Sequence, residues 1–291
     1  MAVDINRTTS ISLPGDVSSE ILKKTQEGSV VMTLAHPIKL PGLGTTIPVI
    51  TGDPEAAWVD ETAKKPVNRG TLSTKPMSPY TLAVIVPFSN QFRRDVPALY
   101  DELVKRLPLA LAKKFDATVF GAVNAPGSNF DTLKNCTAQE IGTNAYKGLV
   151  EADSDIAAHD GILNGWVIAP QGKAVLLNAV DANKRPLFLN NVAEGAVPMI
   201  LGARTLQSKA AYIADTTAAK KHVVGFAGDW TQAMYGTVEG VKIAVSDQAT
   251  LIDGDTTINL FQQNMFAVRA EIEVGFRCDT SVFNKLTKTE A

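Results

Sequence analysis

The strongest pattern in the chain is an unbroken alternation near its C-terminal end. Phe266, Val268, Ala270, Ile272, Val274 and Phe276 fall on one face of an extended strand, and Ala267, Arg269, Glu271, Glu273, Gly275 and Arg277 on the other. Successive strand side chains point to opposite faces, so a slip of one residue would turn all the charges into the core. The pattern predicts a strand of 12 residues, about twice the usual length. One face packs on a core, and the other meets water or a charged partner. Arg269, Glu271, Glu273 and Arg277 are therefore candidates for contacts between subunits.

The helical period is clearest from Asp95 to Val123, where Val96, Leu99, Tyr100, Leu103, Leu107, Ala110, Leu111, Phe115, Val119 and Val123 line one stripe. Asp95 suits the N-cap and Pro97 the first turn, where a missing N–H is harmless. At 1.5 Å per residue this helix spans ~40 Å. Pro108 lies in its middle and predicts a kink. Pro126-Gly127 predicts its end.

Residues 1–30 are polar, with a short helix signal at Asp16–Thr25. Val17, Ile21 and Leu22 cannot make a core alone, so this segment reads as an arm that docks elsewhere. Val30–Leu34 and Thr46–Ile50 read as short strands. The stretch from Gly52 to Pro79 carries Pro54, Pro66, Pro76 and Pro79 and is flanked by strand signals at Ile47–Thr51 and Thr81–Phe88. Structureless loops of this length are uncommon in compact domains. A long two-stranded hairpin, with Trp58 and Val59 on one limb, explains it better than a surface loop does. Its tip, around Asp60 to Arg69, has too little apolar surface to bury. Trp58, Asp60, Glu61, Lys64, Lys65 and Arg69 are therefore candidates to grip a neighbouring subunit.

From Ser128 to Gly254 helices and strands alternate. Leu149–Ala158 and Gln171–Val180 read as helices. Gly165–Ala169, Lys221–Phe226, Met234–Tyr235 and Val241–Val245 read as strands. The section resembles a subdomain inserted before the closing alternating strand, and the whole is an α+β fold.

Composition adds limits rather than a function. The chain has 291 residues, 45% hydrophobic and 20% charged, with a net charge of −2. That is enough for a large core and excludes wholesale disorder. It also leaves no basic field for sequence-independent nucleic-acid binding. No apolar run approaches the ~20 residues of a membrane helix, and the first residues lack a signal-peptide pattern. Cys136 and Cys278 are too few for a disulfide framework or a four-cysteine zinc site.

Enzyme signatures fail on spacing. Gly165 to Lys173 resembles a phosphate loop with six residues between its glycines instead of four, and Ala174 replaces the magnesium-binding hydroxyl. Gly42-Leu43-Gly44 lacks the third glycine of a dinucleotide loop. His36, His159 and His222 stand apart from one another, and Asp253 and Asp255 around Gly254 read as a solvated turn. No catalytic, cofactor or metal residues are assigned.

In order and spacing, several stretches resemble tailed-phage major capsid proteins with the Hong Kong 97-like fold. They are Leu13-Pro14-Gly15-Asp16-Val17, Glu27-Gly28-Ser29-Val30-Val31, Phe88-Ser89-Asn90-Gln91-Phe92-Arg93-Arg94-Asp95 and Trp166-Val167-Ile168-Ala169-Pro170. Asp181-Ala182-Asn183-Lys184-Arg185-Pro186, Phe226-Ala227-Gly228-Asp229-Trp230 and Asn264-Met265-Phe266-Ala267-Val268-Arg269 complete the set. The family often has glycine where Lys184 stands. The resemblance implies an N-arm at 1–35, peripheral-domain strands at 36–50 and an extended E-loop at 51–80. It further implies a peripheral domain with a spine helix at 81–127, an axial domain at 128–254 and a peripheral return strand at 255–291.

By the same resemblance the chain self-assembles as hexamers and pentamers into an icosahedral shell around double-stranded DNA held without sequence-specific contacts. Portal and scaffolding or decoration proteins are the expected partners. The expected place is the virion capsid, assembled in the host cytoplasm, with no membrane and no cofactor. Arm-like sequence begins close to Met1, so any scaffold is expected to be a separate protein. No cross-linking triad is matched. Two alternatives stay open at this stage: an encapsulin-like compartment shell and a cytosolic α+β enzyme.

Overall fold

The computed structural model of the chain describes residues 28–52, 58, 59, 64, 65, 67, 71–90, 96–181, 183–188, 199–254 and 256–290. The expected arm helix at Asp16–Thr25 lies outside them. In chain order the elements are α1 (Val30–Leu34), β1 (His36–Lys39), β2 (Thr45–Gly52), β3 (Thr71–Met77), β4 (Tyr80–Ser89), α2 (Val96–Val119), β5 (Thr137–Glu140), α3 (Ala145–Ala158), β6 (Gly165–Ile168) and α4 (Pro170–Leu177). They continue with β7 (Met199–Ile200), β8 (Ala203–Gln207), β9 (Lys221–Gly228), β10 (Ala233–Thr237), β11 (Lys242–Ser246), β12 (Thr250–Asp253), β13 (Thr256–Asn259), β14 (Met265–Cys278) and β15 (Phe283–Thr289).

The alternating segment is β14, the axis of a five-stranded sheet. One of its edges pairs antiparallel with β4, from Met265↔Ser89 to Val274↔Tyr80. The other edge is shared by β11, at Ala267–Glu271, and β10, at Val274–Cys278. Beneath it, Leu107 and Leu111 of α2 pack on Phe266, Val268, Ala270 and Ile272. The apolar face of the alternation thus covers the long helix.

The second sheet runs β5-β15-β9-β6-β8-β7. Period-2 geometry divides β6 between two cores: Trp166 and Ile168 face α3 and α4, while Val167 faces α1, α2 and Phe276. Both faces of β6 are covered, which explains its unbroken apolar run. β10 and β11, grouped by sequence with 128–254, pair with β14; β15, grouped with 255–291, pairs with β5 and β9. The chain therefore crosses between the two sheets more often than a simple insertion would.

Several local expectations change. Val30–Leu34 is a helical turn, because Ser29 caps it and the Asp116 carboxylate accepts from its first N–H groups. That tertiary partner overrides the strand preference of the two valines. α2 runs through Pro108 without a break and stops earlier than Pro126. Gly121 ends it at φ 83, where a Cβ would meet Lys134 at 2.5 Å. β5, β7, β8, β12, β13 and β15 had no predicted counterpart.

Candidate functional site

The surfaces that could join copies are built around β14. A hairpin forms around the proline-rich excursion, with its first limb earlier than expected: β2 and β3 pair from Thr45↔Met77 to Gly52↔Thr71, and Trp58 and Val59, expected on one limb, lie outside both strands. Its base rests on β14 at a glycine pair, Gly236↔Gly275. A Cβ on Gly275 would stand 2.8 Å from the Ser78 carbonyl oxygen, and one on Gly236 would stand 2.4 Å from Leu40. Only glycine lets the hairpin base lie this close to the sheet. Beyond the base, Trp58 is fully exposed, Val67 is 86% exposed, and Lys64 and Lys65 are exposed. Asp60, Glu61 and Arg69 lie outside the described residues.

Arg277 departs from the outward-facing place that the alternation gave it. It is 9% exposed and sits under the hairpin base. Its Nε donates to the Pro76 carbonyl at 2.7 Å, and its two terminal nitrogens donate to Asp131 at 2.7 Å and Asn129 at 3.1 Å. Asp131 also accepts from the Cys278 N–H, and Lys75 donates to the Cys278 carbonyl. The guanidinium fork thus ties the hairpin, the loop after α2 and the end of β14 together. Alternation could not reveal this, since the hairpin covers the outer face only at this end. The one-sided pattern survives in the middle of the strand.

There the outer face carries the other three candidates. Arg269 lies 3.5 Å from Glu271, with the arginine half-exposed. Lys242 on β11 pairs with Glu239 at 3.1 Å. The hydrogen bond and charge of Glu239, with Glu273 and Glu271 adding, raise its pKa. Ile85 of β4, paired with Arg269 in the ladder, is exposed beside them. This is an open mixed-charge strip with an apolar margin.

The short helix α1 is fixed to α2. Ser29 Oγ, Val30 N–H and Val31 N–H all donate to Asp116, which is 2% exposed. Burial pushes the Asp116 carboxyl up to about 6, and the three donated hydrogen bonds hold it from rising further. The sequence held a signal for this contact, a serine preceding a short apolar turn, but not for its partner 87 residues away.

On the second sheet, Lys184 takes φ 64, the left-handed conformation in which glycine is at ease. Asp181 holds that turn by accepting from the Asn183 and Arg185 N–H groups, each at 2.8 Å. Beside it lies a cleft of about 450 Å³ between the loop that leads into α3, one face of α4 from Gln171 to Asn178, Val180, Leu187 and Lys288. Both cysteines are buried and free; burial pushes Cys136 up to about 12 and raises Cys278 as well, so both stay thiols. Among the described residues no group of His, Cys, Asp and Glu has metal-binding geometry, and no helix is long and apolar enough to cross a membrane.

Over residues 10–281 the chain matches the phage capsid family. It is 29% identical to the probable major capsid protein gp17 of Mycobacterium phage L5, over 96% of this chain and 90% of that one. The major capsid protein of Staphylococcus phage 80alpha is 22% identical over 96% of this chain and 86% of its own. A solved chain from Gordonia phage Cozz has the same fold, with a TM-score of 0.73 at 19% identity, over 90% of this chain and 87% of that one. A chain from the capsid of an empty GTA particle computed with C5 symmetry gives 0.68 at 13% identity, over 90% of each. A match that leaves out only the two ends, joined to a fold shared with phage capsid chains, makes this chain a member of the phage capsid family, a shell-forming protein with the Hong Kong 97-like fold.

Proposed function

We propose that the chain is the principal shell subunit of a tailed phage, assembling as hexamers and pentamers around packaged double-stranded DNA. The family match from residue 10 to residue 281 carries this reading. The hairpin supports it: Trp58 and Val67 have no cover within the subunit, which fits a segment that gains burial against a neighbour. Individually weak contacts suffice in a closed shell, because symmetry repeats each one many times.

In this reading the arm at 1–35 and the hairpin at 51–80 reach neighbours. The β14 sheet with α2 forms the peripheral body, and the β9 sheet with α3 and α4 forms the axial body. The net charge of −2 suits a wall that encloses DNA without gripping it. The subunit acts structurally rather than catalytically, assembles in the host cytoplasm, and meets a portal and scaffolding or decoration proteins there. Electron microscopy of the purified chain tests the reading. Closed shells with hexamers and pentamers are expected; a monomer or dimer at every concentration and salt would contradict it.

A further inference from the structure

The second sheet and the helices on it carry two features that nothing among the described residues covers, an exposed turn and a cleft. At one edge, β7 and β8 meet in a two-residue turn, Leu201-Gly202, closed by the pair Ile200↔Ala203. Both turn residues have positive φ, 47 for Leu201 and 80 for Gly202. Asparagine, aspartate or glycine is the ordinary choice at the first position of such a turn, and a bulky leucine is a backbone outlier there. Leu201 is also 44% exposed, and its neighbour Met199 is 60% exposed. For an isolated subunit this residue is unfavourable twice, in its backbone and in its solvation.

The cleft of about 450 Å³ opens between the loop from Ile141 to Ala145, which follows the edge strand β5, the face of α4 that carries Gln171, Ala174 and Val175, and Lys288 of β15. Its apolar wall includes Val180 and Leu187, each about half-exposed, with Ala174 between the polar rim groups. The cleft has room for the side chains of a leucine and a methionine. The two features lie at opposite ends of the strands. The turn is level with Gly165, Gly228 and Phe283, and the cleft is level with Lys288 and His222.

We propose that Leu201, with Met199, inserts into this cleft of the next copy of the chain, making a head-to-tail contact around each capsomer. The proposal rests on the shell reading above and names a surface of that shell. A knob and a socket formed by different patches of one subunit give a heterologous contact, the kind that closes into rings. Two partly exposed side chains cover far less than the ~800 Å² per partner of a stable pairwise interface. The contact therefore holds only within a closed ring, together with the hairpin and the arm. This accounts for an apolar knob small enough to leave the free subunit soluble.

The variant Leu201→Asn separates folding from assembly, because asparagine relieves the backbone while removing the knob. Its subunit is expected to melt at or above the wild-type temperature, and its assembled fraction at fixed concentration to fall at least tenfold by sedimentation. Wild-type assembly overturns the proposal, and so does lost assembly accompanied by a lower melting temperature, which would mark Leu201 as a folding residue. A Leu201→Cys, Val180→Cys double variant, oxidised as shells, is expected to give a disulfide ladder ending at the pentamer and hexamer, absent from either single variant. Shells without that ladder also overturn it. Failure of the unmodified chain to form particles would instead remove the shell reading itself.

Discussion

β14 and the β2–β3 hairpin both pair antiparallel with their neighbours, but they are completed differently. β14 has partners on both edges, a helix under one face and, at its Arg277 end, the hairpin base over the other. The hairpin strands pair only with each other among the described residues, and Trp58 beyond them has no cover. A lone two-stranded hairpin is marginal in water. The subunit completes its own five-stranded sheet, while the ribbon is left with only its two strands paired; in the proposed shell a neighbour completes it. Arg277 marks the border, since it is a residue of β14 that holds the hairpin.

The sharpest way to break this comparison is at that border. Arg277→Ala leaves the partly buried Asp131 carboxylate without its cation, and removing one partner of a buried pair costs at most about 3–5 kcal/mol. Urea denaturation of the subunit is expected to show a loss approaching that limit; a loss below about 1 kcal/mol would mean that the hairpin base is not fixed from β14. Next comes Asp116, which anchors α1 through Ser29, Val30 and Val31. Its pKa is raised from 3.8 to about 6, so the folded subunit binds that proton more tightly than the unfolded chain. The stabilisation is complete below pH ~4 and is lost as pH rises through ~6, about 2–3 kcal/mol in all. Asp116→Asn should remove this part of the pH dependence between ~4 and ~6. An unchanged pH profile would show that the group is solvated.

Lys184→Gly should stabilise the subunit by about 1 kcal/mol, the cost of a left-handed conformation in a residue with a Cβ, read as a higher melting temperature. A lower one would mean that the lysine side chain holds the turn. The smallest folding effect is expected on the open strip of β14. Glu271→Lys should change subunit stability by no more than about 1 kcal/mol, as for exposed ion pairs, yet reduce assembly. Equal losses in the subunit and the shell would place the strip outside any interface.

Alternation made β14 and β4 legible, while the hairpin was legible only as a proline-rich excursion between strand signals, too long for a structureless loop. The helical stripe revealed α2, whose Leu107, Leu111, Phe115 and Val119 are buried as the period requires. Arg277 was misplaced because burial of its face comes from a distant segment, Pro76, which periodicity cannot register. Val30–Leu34 read as a strand for the same reason, its cap lying on Asp116. β7 and β8 were missed because they are short, and a Leu-Gly turn lacks the asparagine or aspartate that usually announces one. β15 was hidden by its composition: Asn284 and Thr287 are buried in it.

The most direct test of the division between fold and assembly replaces residues 53–70 with an Asn-Gly turn, keeping the Gly52↔Thr71 pair. Thermal melting and sedimentation velocity are then measured on the same sample. The expected result is a subunit that melts within about 2 °C of wild type, the shift that well under 1 kcal/mol gives at this size, and that sediments without any shell-sized species. Shells of wild-type size from this variant would contradict the account.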